Sequence, residues 1–103
     1  MAIKKALTRH QILSDLRRNQ SILKRCKVRK IGLFGSFARN EQTSKSDIDF
    51  LVDFKEPTYD NLLELHEHLR KLYGRKIELV TPPGLSRHIR PYVDDEVLWH
   101  EVK

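Results

Sequence analysis

Residues 28–54 read VRKIGLFGSFARNEQTSKSDIDFLVDF, and their pattern decides the fold. From Val28 to Phe34 the chain is a short apolar run whose charges stop at Lys30, and Gly35-Ser36 closes it. Such a run predicts a mostly buried strand that ends in a tight turn. Phe37 to Asn40 fits one helical turn or slightly more, and Glu41 to Ser46 is polar throughout, as a loop should be. From Asp47 to Phe54 the residues alternate. Asp47, Asp49, Leu51 and Asp53 fall on one face of a second strand, and Ile48, Phe50, Val52 and Phe54 on the other. The second set is apolar without a break, so it should meet the core. Pro57 stops the strand.

Working outward, Ile12, Leu13, Leu16, Asn19, Gln20 and Leu23 recur at helical spacing and predict one amphipathic helix from about Thr8 to Arg25. Leu62, Leu65, Leu69 and Leu72 predict a helix over Tyr59 to Tyr73, with Thr58 as N-cap and Gly74 just past its end. Lys76 to Thr81 reads as a third strand, closed by Pro82-Pro83-Gly84. Leu85 to Val102 reads as helical but interrupted at Pro91, with a last short helix ending near Trp99. Three strands alternating with helices make a small α/β layer, one face of which stays open for a ligand or partner.

The chain has 103 residues, 39% hydrophobic and 33% charged, which fits one soluble domain over residues 1–103. No apolar run approaches the roughly 20 residues that span a bilayer, so no membrane role is expected. The basic start, Met1 to Lys5, is not followed by the apolar stretch of a signal peptide. Cys26 is the single cysteine. An intramolecular disulfide is therefore impossible, and a reducing, cytoplasmic location is the expectation. The net charge is +6 and the pI about 9.7, which favours an anionic partner. The excess gathers at Lys4, Lys5, Arg9, Arg17, Arg18, Lys24, Arg25, Lys27, Arg29 and Lys30, against Asp15 alone. That stretch reads as a nucleic-acid patch, a docking face for an acidic protein, or the solvated side of a helix. Nucleic-acid binding is the least favoured of the functional readings. His66 and His68 are two apart on a helix and cannot chelate together. Asp53 reads as a strand-end surface residue, Asp94, Asp95 and Glu96 as the acidic first turn of the last helix. Trp99 could pack on the core or anchor a partner.

The chemistry lies in one spacing. Gly35-Ser36 ends a strand, ten residues intervene, and Asp47-Ile48-Asp49 opens the next strand. A glycine turn lets backbone N–H groups approach phosphate, and the Ser36 hydroxyl can add a donor. Carboxylates two apart on a strand point the same way, so Asp47 and Asp49 converge on one volume. There they would repel each other unless a cation sat between them. Hard oxygen ligands of this kind suit Mg²⁺ with substrate phosphates.

The stretch GSFARNEQTSKSDID, with its LFGSFAR lead-in and SDIDFLV strand, resembles the signature of the DNA polymerase β-type nucleotidyltransferases. The size resembles their smallest branch, the MNT-type minimal nucleotidyltransferases. The resemblance covers nearly the whole chain. It implies the minimal nucleotidyltransferase fold, an α/β (α+β) domain with a small, mostly three-stranded mixed sheet and helices on one face. It implies ATP as substrate, two Mg²⁺ ions, and AMP transfer to a tyrosine hydroxyl of a HEPN-type toxin, for which the domain is the antitoxin. Residue by residue, Gly35 and Ser36 would bind the triphosphate. Asp47, Asp49 and a third carboxylate, Glu78, would be catalytic and metal-binding. Arg39 and Lys45 would neutralise phosphate charge. Two positions depart from the pattern. Glu78 stands where the family usually has Asp, and an ångström-scale displacement of a reacting group can cost about 100-fold in rate. Asn40 stands where Gly is usual, and Asn tolerates the left-handed region. A domain this small would draw much of its acceptor interface from the acceptor itself or from forming a homo-oligomer. The rival reading is a catalytically weak nucleotide-binding module that neutralises its partner by covering it.

Overall fold

The computed structural model describes residues 7–81 and 95–102. Its elements run α1 (Arg9–Arg18), α2 (Gln20–Arg25), β1 (Val28–Phe34), β2 (Ile48–Phe54), α3 (Tyr59–Tyr73), β3 (Ile77–Val80) and β4 (Leu98–Glu101). The strands form one mixed sheet in the order β3-β2-β1-β4. β1 pairs antiparallel with β2 and with β4, and β2 pairs parallel with β3.

The alternation of β2 places its apolar face as expected. Ile48, Phe50, Val52 and Phe54 join Ile31 and Leu33 of β1 in the core, against Ile12 and Leu16 of α1, Leu23 of α2, and Leu65 and Leu69 of α3. The helices thus cover one face. α3 begins and ends where its caps require. The Thr58 hydroxyl accepts from the Asn61 N–H at 3.2 Å, and Gly74 takes the left-handed conformation at φ 63° while its N–H bonds the Arg70 carbonyl. A polar tie joins α3 to α1: the Tyr73 hydroxyl donates to Asp15 Oδ2 at 3.0 Å. Burial, with the Asp15 charge beside it, pushes the Tyr73 phenol well above its usual range, so it stays a donor.

Two expectations are corrected, and a third is met at its shorter limit. The first helix is two. At Asn19 the side-chain amide donates to the Asp15 carbonyl at 2.7 Å, which the Asn19 backbone N–H also reaches at 2.9 Å, and the backbone leaves helical geometry at φ −100°, ψ 28°. A short amide side chain that competes for its own helix's carbonyls breaks the run.

Phe37 to Asn40 is the expected single helical turn, with the Arg39 N–H on the Gly35 carbonyl, and it closes at once. Glu41 N–H bonds the Ser36 carbonyl, Asn40 N–H bonds the Phe37 carbonyl, and Asn40 sits at φ 59°. This is a Schellman closure, in which Asn fills the left-handed position usually held by Gly.

The end of the chain is a fourth strand instead of a helix that reaches Trp99. β4 satisfies the free edge of β1, down to Val102 N–H on the Arg29 carbonyl at 3.0 Å, and exposed strand edges favour such pairing over local helix formation. The expected helix start at Leu85 and the break at Pro91 lie outside the described residues.

Candidate functional site

The site sits on the face of the sheet opposite α1, α2 and α3, the face that Asp49 shares with the buried Leu51. Register fixes who is there. Asp49 lies opposite Phe34 on β1 and opposite Glu78 on β3, so the two carboxylates come from neighbouring parallel strands at the same level. The Glu78 carboxylate stands beside Asp49 and acts directly on its proton affinity. Burial, the Glu78 charge and Asp47 push Asp49 up to about 6. Such a carboxyl changes protonation close to neutral pH and gains from a nearby cation.

Gly35 is fitted to Asp49. It lies at φ +78°, a Cβ there would collide with Asp49 Oδ2, and the same Cβ would stand 3.1 Å from Asp49 Cγ. The backbone comes this close because Gly35 lacks the atom that would forbid it. The turn beyond Gly35 is braced from β3's side. The Arg75 guanidinium donates to the Ser46 carbonyl at 3.1 Å and stacks 5.5 Å over the Phe37 ring, which is itself buried. The Ile48 N–H then bonds the Lys76 carbonyl and starts β2.

The expected residues do not all meet. Asp47 lies just before β2, where the Lys76 ammonium is 3.8 Å from its Oδ2 and 3.9 Å from Glu78 Oε1. Among the described residues no three acidic, histidine or cysteine side chains converge as a ready metal cluster. The structure therefore presents Asp49 and Glu78 side by side in register, with Asp47 near them at the start of β2. These are hard oxygen donors of the kind Mg²⁺ takes, and the like-charge pressure on Asp49 is of the sign a divalent ion would relieve. Ser36 is half-buried in the turn, and its carbonyl closes that turn. Arg39 reaches the Gly35 end of the site. Lys45 is exposed in the loop and, among the described residues, forms no ion pair.

Sequence reasoning missed Glu96. Its Oε1 accepts from the Gly35 N–H at 3.1 Å, and Arg39 Nη1 donates to both of its oxygens, at 3.2 and 3.1 Å. Reading it with Asp94 and Asp95 as an acidic helix turn hid this role. No local spacing could have joined it to a glycine 61 positions earlier. Asp53 does lie at the far end of the strand, paired with Arg29 at 3.2 Å.

With that geometry in hand, residues 11–100 match the nucleotidyltransferase domain family. The chain belongs to that family. It is a nucleotidyltransferase. It is 40% identical to protein adenylyltransferase MntA of Thermococcus cleftensis over 95 residues, 90% of this chain and 96% of the relative. It is 38% identical to a Methanocaldococcus jannaschii protein provisionally named protein adenylyltransferase MJ1379, over 89% of this chain and 97% of the relative. Among solved structures it is similar to a provisionally assigned minimal nucleotidyltransferase. The TM-score is 0.75 at 28% identity, covering 92% of this chain and 98% of that one. A toxin–antitoxin crystal structure with AMP-PNP shares the fold at a TM-score of 0.65 and 23% identity, over 90% of this chain and 72% of that one.

Proposed function

We propose that this nucleotidyltransferase transfers AMP from ATP to a tyrosine hydroxyl of a partner protein, a HEPN-type toxin, and so acts as its antitoxin. The observation that carries the proposal is the Asp49–Glu78 carboxylate pair set against the Gly35 turn. The names of the relatives support a protein acceptor. The toxin–antitoxin neighbour with AMP-PNP supports an adenine nucleotide and a toxin partner. The HEPN class rests on the sequence resemblance.

In this reading Gly35 N–H, Ser36 and Arg39 bind the triphosphate, and Lys45 adds positive charge at the loop. Asp47, Asp49 and Glu78 would hold Mg²⁺, two ions by the family pattern. Bound there, Mg²⁺ would supply charge stabilisation for displacement at phosphorus. The acceptor oxygen attacks the α-phosphorus, its bond to the pyrophosphate oxygen breaks, and pyrophosphate leaves. In the family pattern Glu78 takes the proton of the attacking hydroxyl as general base. A reducing cytoplasm is the proposed setting.

One observation favours a second reading. Asp47 and Glu78 share the Lys76 ammonium, and among the described residues no three carboxylates converge as a metal cluster. That arrangement suits a nucleotide-binding module that neutralises its partner by direct binding. One experiment separates the two readings. The product of the neighbouring gene is incubated with this protein, ATP and Mg²⁺, and its intact mass is measured. An Asp47→Ala/Asp49→Ala variant serves as control. A gain of AMP units that the control loses supports the transferase. A stable complex without mass gain supports the binding module.

A further inference from the structure

The anion-binding end of the site is filled by the protein's own carboxylate. Two donors meet there, the Gly35 N–H and the Arg39 guanidinium. They are held in step by one turn, since the Arg39 N–H bonds the Gly35 carbonyl at 3.1 Å. An amide and a guanidinium on a turn at a strand's end form the donor set that recognises phosphate oxygens. Glu96 satisfies that set with both of its oxygens.

Its delivery is structural. Glu96 immediately precedes Val97 and β4, and Val97 and Trp99 pack over Gly32, where a Cβ would collide with Val97 Cγ2 and stand 2.9 Å from Trp99 Cε3. The carboxylate is therefore tethered beside the donors and competes as an intramolecular ligand.

We propose that Glu96 is an internal phosphate surrogate, which occupies the Gly35–Arg39 anion site and must be displaced by the triphosphate of the incoming nucleotide. The proposal rests on the nucleotidyltransferase reading for the identity of that nucleotide. Glu96 keeps Arg39 in place while the site is empty. It also raises the threshold for binding: a single phosphate meets a tethered competitor, whereas a triphosphate brings more charge and more contacts. The Arg39 and Glu96 side chains are 45% and 24% exposed, so the competing pair is weak enough to open.

The test compares Glu96→Ala and Glu96→Gln with the parent protein. Affinities for inorganic tripolyphosphate and for ATP with Mg²⁺ are measured by calorimetry, and folding is checked by circular dichroism. We expect both variants to bind both ligands about two- to fivefold more tightly than the parent. Unchanged or weaker binding of tripolyphosphate and ATP overturns the surrogate while leaving the nucleotide site intact. Tighter tripolyphosphate binding with no preference for ATP keeps the surrogate and overturns the nucleotide reading. No binding of either ligand by any of the three proteins overturns both.

Discussion

At Gly35 two requirements coincide, a left-handed backbone at φ +78° and no room for a Cβ beside Asp49. Gly35→Ala meets both penalties. The backbone cost is roughly 1–2 kcal/mol. The larger effect falls on function, because the methyl displaces the Asp49 carboxylate, and an ångström of misplacement costs about 100-fold. We expect a modest loss in melting temperature and about a 100-fold loss in AMP transfer. Gly74 is the control, also left-handed but with nothing within 4 Å of an added Cβ. Gly74→Ala should lower stability similarly and leave transfer intact. Asp49 itself trades stability for chemistry. Its pKa rises from 3.8 in the unfolded chain to about 6, so the folded state binds the proton more tightly. That contribution is present below the unfolded value and is lost as pH rises through about 6. Asp49→Asn removes the deficit. In the presence of a chelator the variant should melt a few degrees above the parent near pH 8, because Asp49 is only partly buried and water screens the gain to at most about 1 kcal/mol. The gap should close as pH falls towards about 5. A gap independent of pH would show that Asp49 is not the strained group.

Elements whose ends are set by local chemistry were legible in the sequence, and those set by distant partners were not. α3 runs from Tyr59 to Tyr73 as its leucine spacing and its Thr58 and Gly74 caps predict, because every one of those signals acts within a turn of the helix. Thr58→Ala should therefore cost about 1 kcal/mol, seen as a drop of about 4–8 °C in thermal melts, without altering nucleotide binding. β1 and β2 were legible for a similar reason, since alternation and the Gly35 stop are local. β4 was not. Leu98 to Glu101 has no strong strand pattern of its own, and it becomes a strand because β1 offers an open edge and Gly32 offers a hollow for Val97 and Trp99. The site divides the same way. Gly35, Asp47 and Asp49 were readable from one spacing. Glu78 came only from the family resemblance, because nothing local reveals that β3 pairs parallel with β2. Glu96 depends on β4 and was missed with it. Gly32→Val tests this dependence, since overpacking costs typically 1–3 kcal/mol. Trp99 is the single tryptophan, so its emission reports β4 alone. We expect a red shift and a lower melting temperature. An unchanged spectrum would mean that β4 does not rely on the Gly32 hollow.

For the molecule as a whole, the site and the fold are linked through its charges. Asp49 stands beside Asp47 and Glu78 and holds its proton more tightly for it, so without a cation this corner works against the stability the core provides. A ligand that binds only the folded state returns stability as RT ln(1 + [L]/Kd), about 2.7 kcal/mol at roughly 100 times Kd. In a domain of this size that corresponds to a rise on the order of 10 °C in melting temperature. ATP with Mg²⁺ should produce it, ATP with a chelator should produce much less, and Asp47→Ala/Asp49→Ala should abolish the Mg²⁺-dependent part. The basic surface supplies the competing explanation, since a protein of this charge attracts any polyanion. Salt separates the two. Non-specific attraction at exposed lysines and arginines is screened within about 10 Å at 0.1 M and fades further as salt rises. Binding through carboxylates, metal and the Gly35 turn is local and partly buried, and should persist. A shift that salt removes and the aspartate variants retain would assign ATP binding to the surface, and the Asp49–Glu78 pair would then have no part in holding the nucleotide.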